Sequence, residues 1–253
     1  MSEPHQNLRE ALRVVDDANA VAEEAARLIA ETARESVRTH GRFTLALTGG
    51  SSPLDTYSKL ATPEFRDAID WTKTHLLWGD DRAVAPDRPE SNYGAAEKRL
   101  IANVPIPAAN VHRIEGERSD LEAAAADYAT KLRAVCDRDS TETPVIDLLL
   151  LGIGGDAHIL SLFPGCPAIH GVAADVIALR DPPMNPAVSR ITFTPRVLYA
   201  ARSVLVFAHT AGKAAPLKAM LDGDDDPMRY PAQLIRRARG RVVIVADRAA
   251  AGE

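Results

Sequence analysis

"VIDLLLLGIGGDAHILSLFPG", Val145 to Gly165, is the stretch whose reading decides the fold. Its first part is an almost unbroken apolar run, and its second is a glycine-rich turn that presents Asp156 and His158. A strand with one wet face alternates apolar and polar residues. A strand that is apolar throughout is covered on both faces, as parallel strands in α/β proteins are. The pattern recurs along the chain: "FTLALT" (43–48) runs into "GGSSP", "HLLWGD" (75–80) into "DR", and "SVLVFAHT" (203–210) into "AGK". A fifth run, "RVVIVAD", covers 241–247. Between these runs lie amphipathic stretches. Val21, Ala25, Ile29, Ala33 and Val37 form one helical stripe, and Leu121, Ala125, Tyr128 and Leu132 form another. Strands alternating with helices predict an α/β fold around a mostly parallel sheet. The Pro-rich segments 83–92 and 180–190 read as irregular.

The 253 residues suffice for one large domain or two small ones, and no repeat, low-complexity tract or linker divides them. A single domain over 1–253 is expected. Aromatic residues make up 5% of the chain, so Leu, Val, Ile and Ala must build the core. Cys136 and Cys166 are too few for a disulfide framework and suit a reducing compartment. The charged start "MSEPHQNLREALRVVDD" lacks the apolar region of a secretory signal, and no apolar run approaches the roughly 20 residues that cross a bilayer. These features predict a soluble cytoplasmic protein without a membrane partner. The net charge of −5, with Lys and Arg scattered, disfavours a nucleic-acid partner. The one basic cluster, "RRARGR" (236–241), reads as a solvated helix end.

Four of the five strands end in polar, turn-forming sequence. In a parallel sheet those ends share one edge, where open α/β sheets bind ligands. In "TGGSSP", Ser52 is the expected N-cap of a helix opening at Pro53, and free amides at a helix start attract phosphate. Serines that merely cap the helix are the plain alternative. Arg82 in "GDDR" offers a planar fork to an oxyanion or phosphate, or pairs with a neighbouring aspartate. Lys213 in "HTAGK" stands at another helix start, as a phosphate grip or as an exposed lysine. Gly152, Gly154 and Ala157 fit a loose dinucleotide pattern, but "HILSLFPGCP" supplies no long helix to follow it. His158, Cys166 and His170 match no strong zinc spacing. Neither an organic cofactor nor a metal is expected.

"LTGGSSP", "WGDDRAVAPDRPESNYG", "LLLLGIGGDAHILSLFPG", "RITFTPRVL" and "AGKA" occur in that order across most of the chain. Together they resemble the 6-phosphogluconolactonases, which share a broader fold with glucosamine-6-phosphate deaminases. The resemblance implies a modified doubly wound, mostly parallel α/β sheet with helices on both faces. It also implies hydrolysis of 6-phosphoglucono-1,5-lactone to 6-phosphogluconate in the pentose phosphate pathway, with no cofactor. The partner is then a small phosphorylated sugar lactone, and the protein a monomer or weak homo-oligomer. By the same resemblance His158 is the general base and Asp156 its neighbouring carboxylate. Gly49, Gly50 and Ser51 form the first loop, and Asp80, Arg82, Arg190 and Lys213 contact substrate and phosphate.

The chain departs from the family pattern around the histidine. Where the family reads Asp-Gly-His-Thr-Ala-Ser-Leu-Phe-Pro, this chain reads "DAHILSLFP", and Asp81 stands where Glu is usual. A positive φ at Ala157 costs roughly 1 kcal/mol and threatens to tilt His158; a negative φ leaves only an added methyl. Ile159 removes a hydroxyl from the turn. A deaminase or isomerase is the nearest rival, but its motif continues into Asn-Glu-Pro after the His, and "SLFPG" supplies no such carboxylate. A sugar-phosphate sensor that kept the pocket and lost the chemistry is the rival from another class.

Overall fold

The computed structural model describes residues 6–136, 142–184 and 187–253. In chain order the first elements are β1 (Leu12–Val15), α1 (Ala18–His40), β2 (Phe43–Leu47), α2 (Ser51–Leu60), α3 (Pro63–Arg66), β3 (Thr74–Trp78), β4 (Asp80–Arg82) and α4 (Asn92–Arg99). There follow α5 (Leu121–Val135), β5 (Leu148–Gly152), β6 (Val176–Leu179), β7 (Arg190–Phe193), α6 (Pro195–Ala200), β8 (Ser203–Ala208), α7 (Ala214–Asp222), β9 (Arg241–Asp247) and α8 (Arg248–Ala251).

All five apolar runs are strands of one six-stranded sheet, ordered β1-β9-β8-β5-β2-β3 and parallel throughout. β2 is buried at every position, and β5, β8 and β9 at all but one terminal position each. Only helices on both faces can cover strands in this way. The two helical stripes lie inward, with Val21, Ala25, Ile29 and Ala33 of α1 and Leu121, Ala125, Tyr128 and Leu132 of α5 all buried. Asp17 caps α1 by accepting from the Ala20 amide at 2.8 Å. Gly41 ends the helix with φ 76, a conformation that glycine adopts without the cost of a Cβ.

Two features go beyond the sequence reading. β1 adds an edge strand beside β9, and β4, β7 and β6 form a separate antiparallel sheet. The run 75–80 is therefore split: β3 ends at Trp78 and Asp80 opens β4. Gly79 makes the transfer. Its N–H donates to Leu47 O of the large sheet at 2.9 Å, and its carbonyl accepts from Phe193 N of the small one at 2.8 Å. A Cβ here would stand 2.7 Å from Leu160 Cδ2, so any larger residue at the crossing would have to displace the Leu160 side chain.

From β2 the chain runs outward to β3, then returns to β5 on the other side of β2. The gap between the β2 and β5 ends is thus the topological switch point, where such sheets form a crevice. Two buried tyrosines hold the strand ends that approach it. The Tyr57 hydroxyl accepts from Thr48 N at 3.0 Å and donates to Thr48 O at 2.8 Å. The Tyr128 hydroxyl treats Trp78 in the same way, at 2.7 and 3.1 Å. Burial pushes both phenols well up, so they remain neutral and able to donate.

Candidate active site

At the switch point lies a cavity of about 240 Å³. Thr48, Gly49, Gly50, Ser52 and Pro53 enter it from the end of β2, and Gly152, Ile153, Gly154, His158 and Leu160 from the end of β5. The small sheet and its loops add Asp80, Arg82, Asn92, Met184 and Arg190, and Lys213 closes the ring.

His158 is held by local geometry. Its Nδ1 lies 2.5 Å from Asp156 Oδ1, and the same oxygen accepts from the His158 amide at 3.1 Å. The His158 carbonyl accepts from Gly154 N at 2.8 Å, closing the turn. A Cβ at Gly154 would collide with both the His158 ring and the Asp156 carboxylate, so the glycine makes the pair possible. With Nδ1 committed to a carboxylate, Nε2 is the nitrogen left with a lone pair. Burial acts to raise the Asp156 carboxyl, but the hydrogen bond and charge of His158 outweigh it and bring it down to about 2. It is ionised at any working pH and stabilises positive charge on the ring.

The turn is strained. Ala157 has φ 65 and Leu160 φ 54. The positive angle expected to be costly at 157 is thus present, at roughly 1 kcal/mol for a residue with a Cβ. It does not tilt His158 away, because Ala232 N donates to Ala157 O at 2.8 Å and Ala157 N to Gly154 O at 3.0 Å. Ile159 points into the core and lines no part of the cavity, whereas Leu160 forms part of the wall. Thr210, φ 77, precedes the Lys213 turn, and its N–H is clamped by the Asp247 carboxylate at 2.9 and 3.2 Å. Of the four positive-φ residues other than glycine among the described residues, Ala157, Leu160 and Thr210 belong to turns that supply His158, Leu160 and Lys213 to the cavity. Such strain persists only where the surroundings over-determine it.

The cations come from separate elements. Arg190 of β7 is buried, with its guanidinium carbon 5.3 Å from the Phe163 ring centroid and NH1 3.8 Å from Asp80 Oδ2. Burial lowers its pKa and Asp80 partly restores it. Arg82 donates from NH1 to Glu90 O at 2.6 Å and to Asn92 Oδ1 at 2.7 Å. The Nε atoms of both arginines are buried and have no acceptor among the described residues. Lys213 ends a short 3-10 turn, Ala211–Lys213. Asp80 is fixed below them by Ser161 Oγ at 2.6 Å and by the Asn92 amide, which reaches its carbonyl at 2.9 Å.

The structure therefore gathers Gly49, Gly50, Asp80, Arg82, His158, Arg190 and Lys213 around one cavity, with Asp156 behind the histidine. Ser51 opens α2, and its side chain lies outside the described residues. The expected cap is corrected: Gly50, φ 94, occupies the N-cap position and has no side chain to cap with, and Ser52 lies within the helix. Arg82 does not choose an aspartate as its partner but takes a carbonyl and an amide. Asn92 is the participant that sequence reasoning left without a role; its signal was the Ser-Asn pair at a helix start. The basic cluster divides: Arg236 is buried and donates to Met220 O at 2.9 Å and Gly223 O at 2.8 Å, whereas Arg239 and Arg241 are exposed, as a solvated cluster would be. Among the described residues no three His, Cys, Asp or Glu side chains gather as metal ligands, and no helix is long and apolar enough to cross a membrane. The turn at Gly152–Ala157 does not lead into the helix a dinucleotide site needs.

Residues 16–244 match the family model described as glucosamine-6-phosphate isomerases/6-phosphogluconolactonase. The chain is 33% identical over 246 residues to a 6-phosphogluconolactonase from a Nostoc species, covering 97% of this chain and 99% of that protein. It superposes on a 6-phosphogluconolactonase from Trypanosoma cruzi with a TM-score of 0.87 at 27% identity, over 98% of each chain. A monomeric glucosamine-6-phosphate deaminase shares the fold, with a TM-score of 0.80 at 20% identity over 95% of this chain and 98% of that one.

Proposed function

Because the chain belongs to the glucosamine-6-phosphate isomerase/6-phosphogluconolactonase family, we propose that it is the lactonase, hydrolysing 6-phosphoglucono-1,5-lactone to 6-phosphogluconate in the pentose phosphate pathway, in the cytoplasm. The observation that carries the reading is the single cavity in which a carboxylate-backed imidazole meets three cations from three different chain segments. The first turn of α2, opened by Gly50, binds the phosphate together with Lys213 and Arg190, an arrangement of amide dipoles and charge that suits a dianion. Asp80 accepts from a sugar hydroxyl, leaving the lactone carbonyl toward His158.

His158 Nε2 takes a proton from water as the oxygen attacks the carbonyl carbon. The carbonyl π pair moves onto oxygen, and Arg82 stabilises that developing charge. Asp156 holds the imidazolium through Nδ1. Collapse of the tetrahedral intermediate breaks the bond to the ring oxygen, which receives the proton from His158 and becomes the C5 hydroxyl. One water is consumed, and the acid formed ionises to the carboxylate. No deaminase-type carboxylate follows His158, where Ile159 and Leu160 are buried.

The test is a hydrolysis assay on freshly made lactone, corrected for spontaneous opening. Acceleration proportional to protein, with glucosamine 6-phosphate inert, is expected. Tight 6-phosphogluconate binding without acceleration would make the protein a sensor, and turnover of glucosamine 6-phosphate a deaminase.

A further inference from the structure

Asp81 is buried, lines no part of the cavity and forms no ion pair among the described residues, yet its carboxylate is fully engaged. Oδ1 accepts from the amides of Arg82 and Asn92, each at 2.7 Å. Oδ2 accepts from the Tyr93 amide at 3.0 Å and from Ser91 Oγ at 3.4 Å. One side chain thus ties β4 to the first turn of α4. The two residues whose amides it holds tightest are those that enter the cavity. Asn92 in turn accepts from Arg82 NH1 and packs where a Cβ on Gly49 would fall, so the chain of contacts runs from Asp81 to the first loop.

We propose that Asp81 is a positioning residue: its ionised carboxylate gathers three backbone amides and so sets the Arg82 guanidinium and the Asn92 amide against the Gly49 loop. The inference rests on the reading of this cavity as the sugar-phosphate site. Ionised, Asp81 accepts from every donor around it. Protonated, it presents a hydroxyl to a ring of donors and the seam loosens. Burial pushes its carboxyl up to about 6 against the pull of the amides, and the neighbouring Asp80 adds to the rise. The other groups bearing on it are Arg82 on its own strand, Arg190 on β7, Tyr93 on α4 and Tyr128 on α5. Burial raises both phenols, so they stay neutral, and the seam opens on the acid side with Asp81.

The test measures binding of glucose 6-sulfate, whose sulfate does not titrate, from about pH 8 down to about pH 5. A His158→Ala background removes the imidazole's own titration. The parent should lose affinity by about tenfold on acidification, while Asp81→Asn binds about tenfold more weakly at pH 8 and shows no further loss. Asp81→Glu, which keeps the acceptor, should recover part of the affinity at pH 8 and regain the slope. Parental affinity in Asp81→Asn, or an unchanged acid slope in it, overturns the proposal. If Asp81→Asn does not fold, a parent without an acid slope overturns it equally. Lactone hydrolysis by the unaltered protein reports separately on the function, because binding to the cavity is read without turnover.

Discussion

Two carboxylates support the cavity and titrate in opposite senses. Asp156 is half-exposed and holds an imidazole, and despite the upward push of burial its carboxyl falls to about 2. Asp81 is buried and holds only neutral donors, three amides and a hydroxyl, and its carboxyl rises to about 6. Burial opposes the charge in both. A partner that can itself carry positive charge decides the outcome for Asp156, while amide dipoles alone do not offset burial for Asp81. In the proposed reaction the first carboxylate orients a proton carrier, and the second gathers backbone amides.

The sharpest way to break this comparison is to remove the imidazole. His158→Ala should lower lactone turnover by about 10³-fold, within the range of a lost general base, and leave 6-phosphogluconate binding within about threefold. In the same variant the Asp156 carboxyl, followed by NMR, should move up from its low value, since its largest downward influence is gone. A carboxyl that stays low without the ring would mean that the imidazole is not what separates the two aspartates.

The next effect lies on the Asp81 side and concerns stability. Its folded value of about 6 stands above the ordinary 3.8. Between those values the folded protein holds a proton that the unfolded chain has released, so this group's contribution to stability falls as pH rises through the window. Asp81→Asn removes that dependence. Denaturant unfolding should show the variant gaining on wild type by about 2 kcal/mol between about pH 4 and pH 7. A difference that does not change with pH would place Asp81 among ordinary carboxylates. For Asp156 the sign is reversed: its contribution is present above the unfolded value and lost as pH falls toward about 2.

A smaller effect belongs to the phosphate grip. Lys213→Ala should raise KM by about tenfold to thirtyfold and change kcat little, as steady-state kinetics would show. The smallest is at the strained turn. Ala157→Gly should stabilise the fold by up to about 1 kcal/mol in denaturant melts, with activity nearly unchanged because Ala232 already holds the turn.

How much of this was legible depended on how local each cause is. The parallel sheet was legible because burial on both faces writes an apolar run into "FTLAL", "LLLLG" and "VVIVAD" by itself. β1 was not, being four residues long with Val14 exposed. The small sheet was hidden because "DDR" in β4 looks like the polar turn that ends a strand. Its pairing partner, β7, lies far along the chain. Arg82, Lys213 and His158 could be placed on one rim because strand ends share an edge, whereas Arg190, which opens β7 of the small sheet, was placed by the family resemblance alone. The cap was misassigned because Ser52 has cap chemistry, while the conformation of Gly50 decided where α2 begins. Asn92 and Asp81 act through contacts that only folding creates, and the Asp for Glu at 81 marked the place without revealing the seam.

The central claim is that one cavity grips a phosphate at one end and hydrolyses a lactone at the other. The ratio of kcat/KM for 6-phosphoglucono-1,5-lactone to that for unphosphorylated glucono-1,5-lactone tests it most directly. Two or three charge-assisted contacts predict a ratio of about 10³ or more; equal values for the two lactones would contradict the account.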